Sequence, residues 1–383
     1  MAALRFQERN RYFERLFTDP ELLWMGQNTN HLPTPPAVKA AMIRAIEEEE
    51  YHKYCPPCGL GELHGLVLQD LGLDGLAVLV TDGGTEALYQ RSRELLEPGD
   101  EFVTTDPGYL VTNNFARTRG ATVIGLPVYR PEQAYRLTPE QLAGAVTPRT
   151  KVIYLVDPLN PLGISYDEAT MRAFCEVARK AGAYLIHDCT YRDFADAHQL
   201  AARFYPERTF TIYSFSKSCG FAGLRLGAVV AVPALVERLT VAQVNNVGSN
   251  VVSQRGAIAA LRTKAEWFPA LFALERRHQA MIKEAVEAVP GCVAPVYPSQ
   301  ANLLAVDVSR AGVHPEAICT ALLEQHHILA RHAGYHTERF ADRFFRVGTT
   351  VPTAWVERFC AVFPKVIEAL IAVPQAAARA RLF

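Results

Sequence analysis

From residue 77 to residue 232 the chain repeats one pattern, a short apolar run followed by a helical stretch. The runs are AVLVT (77–81), EFVTT (101–105), ATVIGL (121–126), KVIYLV (151–156), AYLIH (183–187), FTIYS (210–214) and GAVVAV (227–232). They have strand length rather than helix length. Helical patterns at 85–96, 108–118, 138–146 and 167–181 separate several of them. Thr138-Pro139 offers a cap followed by proline at the first helical position, and Asp167 is a candidate N-cap. Strands that alternate with helices predict an α/β fold with a mostly parallel, seven-stranded sheet.

The flanks read differently. Residues 1–24 are predicted helical, and NTNHLPTPP (28–36) breaks the pattern as an extended connector. A helix is expected over 37–50, a loop in YHKYCPPCGLGE (51–62), and another helix in ELHGLVLQDLGL (62–73). Beyond residue 235 the rhythm changes. Residues 253–287 predict one long helix or two joined ones. Then come a strand in ANLLAVDV (301–308), a helix at 314–325, strands in HHILA (326–330) and FFRVGT (344–349), and a helix at 353–371. That order suits a small α+β domain. The expected organisation is an N-terminal segment (1–48) contributing to the small domain, a large domain (49–287) and a C-terminal small domain (288–383).

Composition narrows the partners. With 383 residues, 49% hydrophobic and 21% charged, the chain is long enough for a large domain and a smaller one. A net charge of −1 gives no electrostatic footprint for nucleic acid. No apolar run reaches membrane-spanning length. The N-terminus, MAALRFQERNRYFERLF, has no apolar signal core, so a cytoplasmic location is the default. Among the cysteines only Cys55 and Cys58 form a CxxC. It lacks the second pair a zinc site wants, and a structural loop is favoured over a metal or redox role, although His52 and His64 lie nearby.

In a parallel α/β sheet ligands gather beyond the carboxyl ends of the strands. After 77–81 comes DGGTEAL, where Gly83 and Gly84 lead into a helix whose free N–H groups suit a phosphate. After 101–105 comes DPGYLVTNN, with Tyr109 free to stack on a flat ring. After 151–156 comes DPLNPLG, where Asn160 precedes a proline and offers its amide. After 183–187 comes DCTYRDF, with Asp188 at a strand end and Tyr191 three residues on. A carboxylate there is costly unless paired, and a protonated pyridine nitrogen would pair it. After 210–214 comes the lysine segment YSFSKSCGFAGLRLG (213–227). Lys217 is a candidate imine-forming amine, with Ser214, Ser216 and Arg225 as phosphate ligands. Taken singly, each signal has an ordinary alternative: a tight turn, a surface tyrosine, an N-cap aspartate, a solvated lysine. Their order after successive strands is what gives them weight.

This constellation resembles the fold type I pyridoxal 5′-phosphate (PLP) enzymes, and within them the class I/II aminotransferase family. The resemblance runs from about residue 25 to 372 and rests on GGTEAL, Tyr109, Asn160-Pro161, Asp188 with Tyr191, SFSK with Arg225, and FFRVGT. It implies that Lys217 carries the cofactor as a Schiff base and shuttles the Cα proton. Asp188 would hold the pyridine nitrogen protonated, Asn160 and Tyr191 would donate to the phenolic oxygen, and Tyr109 would stack on the ring. Gly84, Thr85, Ser214 and Arg225 would form the phosphate cup, with Ser216 beside them. Tyr54 would reach a neighbouring subunit's phosphate, which implies a homodimer with shared sites. Arg346 would fork onto the substrate α-carboxylate, with Asn30 approaching it.

Two departures bear on the substrate. The chain has NPLG where the family often has NPTG, and Cys189-Thr190 between Asp188 and Tyr191. NPLG and the YS-x-SK form are also similar to 1-aminocyclopropane-1-carboxylate synthases, and the SK-x-x-G-x-x-G-x-R-x-G run to histidinol-phosphate aminotransferases. Transfer of an amino group from an L-amino acid to a 2-oxo acid is the first expectation. γ-Elimination, replacement or cyclisation on S-adenosylmethionine or a modified arginine is the second. A non-catalytic protein of the same fold is a remote third, since Lys217, Asp188 and Arg346 are all present. Arg331-His332 and His52-Lys53 are polar pairs for which solvent is favoured over the pocket.

Overall fold

The computed structural model describes residues 6–240 and 247–372. The strands in chain order are β1 (Leu23–Trp24), β2 (Ala77–Thr81), β3 (Glu101–Asp106), β4 (Thr122–Pro127), β5 (Thr150–Val156), β6 (Tyr184–Asp188), β7 (Thr209–Ser214) and β8 (Gly227–Ala231). They are followed by β9 (Leu303–Asp307), β10 (Ile328–Leu329), β11 (Arg331–His332) and β12 (Phe344–Gly348). A seven-stranded sheet runs β2-β8-β7-β6-β5-β3-β4. All its pairs are parallel except the two that β8 makes. The seven apolar runs become these strands within a residue at each end.

Helices between them cover the sheet. The helix Pro139–Ala145 opens on a capping box, in which Thr138 accepts from the Gln141 N–H and the Gln141 side chain accepts from Thr138 N–H. Asp167 caps Glu168–Ala181 by accepting from Thr170 N–H. One core fills the space around β3, β5 and β6 with Phe102, Tyr154, Phe174 and Phe210, all fully buried or nearly so. A second lies on the opposite side of β2 and β8 and takes in Leu63, Val67 and Phe215.

The C-terminal part carries a three-stranded antiparallel sheet, β11-β12-β9, with its own core of Val306, Ile318, Phe345, Phe359 and Phe363. Two sequence expectations need correction here, and a third, left open between one helix and two, resolves to two. The predicted N-terminal helix covers only Phe6–Thr18, since the chain turns at Asp19-Pro20 and Leu23–Trp24 then pair in parallel with β10. Residues 1–5 lie outside the described residues. The HHILA strand shrinks to Ile328–Leu329, because His326 ends the helix Pro315–His326 and His327 sits at φ 55°, a left-handed C-cap. The segment 253–287 is two helices, Val251–Arg262 and Lys264–Glu287.

The expected division at 48 and 287 is blurred on both sides. Val38, on the helix Pro36–Glu47, packs in the core with Leu63 and Phe215, whereas Met25 and Leu23 pack with the C-terminal core. At the other boundary the helix Lys264–Glu287 carries Ile282 and Val286 into that core. One helix therefore belongs to both units. The last part of the expected small domain, 373–383, lies outside the described residues. Among the described residues no helix is long and apolar enough to cross a membrane.

Candidate active site

A cavity of about 290 Å³ opens at the carboxyl ends of β2, β5, β6 and β7. Gly84, Thr85, Tyr109, Asn160, Asp188, Tyr191, Ser214, Ser216, Lys217, Arg225 and Arg346 all line it. Residues from five separate strand ends and from the small sheet thus converge on one space.

One end of the cavity is an anion cradle. Gly83 turns at φ 90° so that the helix Gly84–Leu95 starts with its N–H groups facing the cavity. A Cβ on Gly83 would strike the Arg225 guanidinium, and one on Gly227 would lie 2.6 Å from the Gly84 nitrogen. Only glycine permits both approaches. Arg225 itself adopts φ 53° and is tethered by Nη1 donating to Ala222 O at 2.8 Å. Ser214 ends β7, and its Oγ accepts from Ser216 N–H at 3.2 Å.

The floor holds the titratable groups. Asp188 is buried, and burial pushes its carboxyl up. Donors from Thr190 N–H at 3.1 Å and Tyr154 OH at 2.9 Å oppose that shift and orient the carboxylate. Lys217 is half-buried, with Nζ donating to Gln27 O at 3.1 Å and 5.6 Å from the Tyr191 ring centre. Burial, with Arg346 and Arg225 nearby, brings its amine down to about 7, against an opposing pull from Asp188. Tyr191 is pushed up to about 12, chiefly by burial, so it is a hydrogen-bond donor. The Asn160 Oδ1 is buried with no partner among the described residues. Tyr109 places its hydroxyl 3.4 Å from Thr85 Oγ1.

The lysine segment is clamped on both sides. Thr29 Oγ1 donates to Ser216 O at 2.7 Å, and Ser218 Oγ donates to Asp193 Oδ2 at 2.6 Å. Arg346 stands opposite Arg331 in the β11–β12 ladder. Its Nη1 is buried without a partner, and burial brings the guanidinium down to about 10. A buried arginine with a free edge turned to a cavity is a waiting anion site.

Two expected residues lie elsewhere. Asn30 does not line the cavity, because Nδ2 donates to Ser218 O at 3.0 Å and Oδ1 accepts from Leu32 N–H at 2.9 Å. Its amide is spent holding the lysine segment. Tyr54 is 85% exposed and away from the cavity of its own chain. His52 and Lys53 are exposed, but Arg331 is buried and lines the cavity, against the expectation of solvent. Sequence reading also missed Gly26, Gln27 and Thr190 in the lining, and Tyr154 behind Asp188. A tyrosine inside the apolar run KVIYLV was the one available signal for Tyr154.

The sequence profile of the class I and II aminotransferases matches residues 20–363. The chain belongs to that family. This aminotransferase is 31% identical over 325 residues to a histidinol-phosphate aminotransferase of Rhodospirillum centenum, covering 82% of this chain and 84% of the relative. It is also 31% identical over 252 residues to a probable aspartate/prephenate aminotransferase of Thermus aquaticus, covering 63% of this chain and 65% of that protein. Its fold matches the aspartate aminotransferase of Thermus thermophilus solved with maleate, with a TM-score of 0.82 at 24% identity over 94% of this chain and 95% of the other.

Proposed function

We propose that this aminotransferase binds PLP through Lys217 and moves the amino group of an L-amino acid to a 2-oxo acid. The observation that carries the reading is the convergence on one cavity of the Lys217 amine, lowered to about 7, the buried Asp188 carboxylate and Arg346 with its unpartnered Nη1. The residues present fit the cofactor. The glycine turn with Ser214, Ser216, Thr85 and Arg225 is a cradle for its phosphate, and Asn160 and Tyr191 line the same cavity. Asp188, costly as a lone buried anion, gains a partner in a protonated pyridine nitrogen.

When bound, PLP supplies a cationic ring that accepts the electron pair left as the amino acid's Cα–H bond breaks. The chain's own residues do the rest. Arg346 orients the amino acid by its α-carboxylate. Lys217 Nζ, whose pKa is brought down to about 7, takes the proton from Cα. Tyr109 and the strand-end loops wall the reacting atoms from water. Tyr154 OH and Thr190 N–H, donating to the two oxygens of Asp188, hold its carboxylate in place.

The same reading makes the enzyme a homodimer, with the exposed Tyr54 ring reaching the phosphate site of a second copy. Eight free cysteines suit a reducing compartment, in keeping with the cytoplasm. That these relatives are named as aminotransferases supports transamination over elimination or cyclisation. The test is to mix the yellow holoenzyme with each proteinogenic amino acid and with S-adenosylmethionine and to follow the visible band. Loss of the band with an amino acid, and its return on adding a 2-oxo acid, is the expected result. Turnover that leaves the band intact and releases a thioether would overturn transamination.

A further inference from the structure

His336 does not line the cavity, yet it touches Arg346, which does, and Gly108, the residue before Tyr109. It lies ten residues before Arg346 in the chain, and it is almost wholly buried. Arg346 Nε donates to His336 Nε2 at 2.7 Å. The guanidinium is always a donor, so Nε2 must be the acceptor and the ring proton must sit on Nδ1. Nδ1 faces Gly108 O at 3.3 Å, an acceptor, so the tautomer demanded on one side is satisfied on the other. The backbone repeats the link, since Gly108 N–H donates to His336 O at 3.0 Å. Gly108 immediately precedes Tyr109, and Arg346 belongs to the small sheet. The imidazole is therefore a strut between the two parts of the molecule, ending on the ring-covering tyrosine loop at one side and on the arginine at the other.

We infer that His336 is a positioning residue that fixes how the α-carboxylate is bound. A carboxylate meets a guanidinium either side-on, through Nε and one Nη, or end-on, through both Nη groups. His336 occupies Nε, so the end-on fork alone is open, and Nη1 is the buried donor left without a partner. The ring also holds the arginine in one rotamer before substrate arrives, which spares ordering cost on binding. Burial and the neighbouring Arg346 keep this imidazole neutral by driving its pKa well below the ordinary value, in accord with the acceptor role.

The inference rests on Arg346 as the α-carboxylate ligand. It is tested on the holoenzyme with the most reactive amino acid from the screen above, with that amino acid's α-methyl analogue, which lacks the transferable Cα proton, and with the amine formed by decarboxylating it. Dissociation constants of the last two come from the change in the bound cofactor's spectrum. His336→Leu and His336→Asn are expected to raise the analogue's dissociation constant and the substrate KM about tenfold or more, the worth of one charged hydrogen bond, with kcat within about threefold. His336→Gln, which can accept with Oε1 and donate with Nε2, is expected to stay within about threefold of wild type on both. Binding of the amine, which has no carboxylate, is expected to be unchanged in all variants. The Asn variant carries the test if the Leu variant fails to fold. Unchanged affinity for the analogue in His336→Asn, or an equal loss for the amine, would overturn the inference. If wild type converts with no amino acid, it is the proposed function that fails.

Discussion

Lys217 is the residue on which the chemistry turns, and its environment sets its working range. An amine in water titrates near 10.5, whereas burial and two arginines bring this one to about 7. The neutral, nucleophilic form therefore predominates above about pH 7. In cofactor-free protein the rate of imine formation with added PLP should rise through that pH and level off above it. Arg346→Gln removes a charge that depresses the lysine, so it should move this profile to higher pH. The same substitution should lower kcat/KM roughly 10- to 150-fold, as expected for losing a charged hydrogen bond. Asp188→Asn leaves the Tyr154 and Thr190 contacts partly in place but cannot hold a cation. Its expected cost is on the order of 10² to 10⁴ in the proton-transfer step, read by stopped-flow absorbance.

Strand ends and helix starts do the positioning, and this is where sequence and structure agree most. The runs of apolar residues located the large sheet because strands buried on both faces leave an unmistakable continuous pattern. The Thr138 and Asp167 caps were legible because their hydrogen bonds are local. Glycines can be separated at this scale too. Gly83→Ala would set a Cβ against Arg225 at a left-handed φ, so cofactor affinity measured by titration should fall. Gly144 lies in the helix Pro139–Ala145 with open space around it, so Gly144→Ala should stabilise the protein by about 0.5–1 kcal/mol in urea unfolding. Elements made by contacts distant in sequence were not legible. The strand β1 exists because Leu23–Trp24 find Ile328–Leu329 more than 300 residues away, and nothing local announces that pairing. Asn30 misled for the same reason: its partner, Ser218, belongs to the lysine segment.

For the whole molecule, the site draws on both sheets. Arg346 belongs to the small sheet, Asp188 ends β6 of the large one, Lys217 follows β7, and the helix Lys264–Glu287 carries Ile282 and Val286 into the C-terminal core. We keep the division near residues 48 and 287 as a proposal, modified by a helix that both units share. The proposed homodimer would add a second level of assembly. Mixing inactive Lys217→Ala with inactive Tyr54→Ala subunits should restore activity, because one of the two sites in the mixed dimer then has both residues. Gel filtration of each variant checks that dimers form. The lining of the cavity was legible because most of its residues directly follow strands of the large sheet, beyond whose carboxyl ends ligands gather. The substrate pocket was not, because Arg331 and His336 act through a ladder and a loop that only the fold brings together. The central claim is that Lys217 holds the cofactor, and borohydride reduction of the yellow holoenzyme followed by peptide mass mapping tests it directly. The account predicts a single pyridoxyl-phosphate adduct on Lys217, whereas an adduct on another lysine, or a yellow protein that yields none, would contradict it.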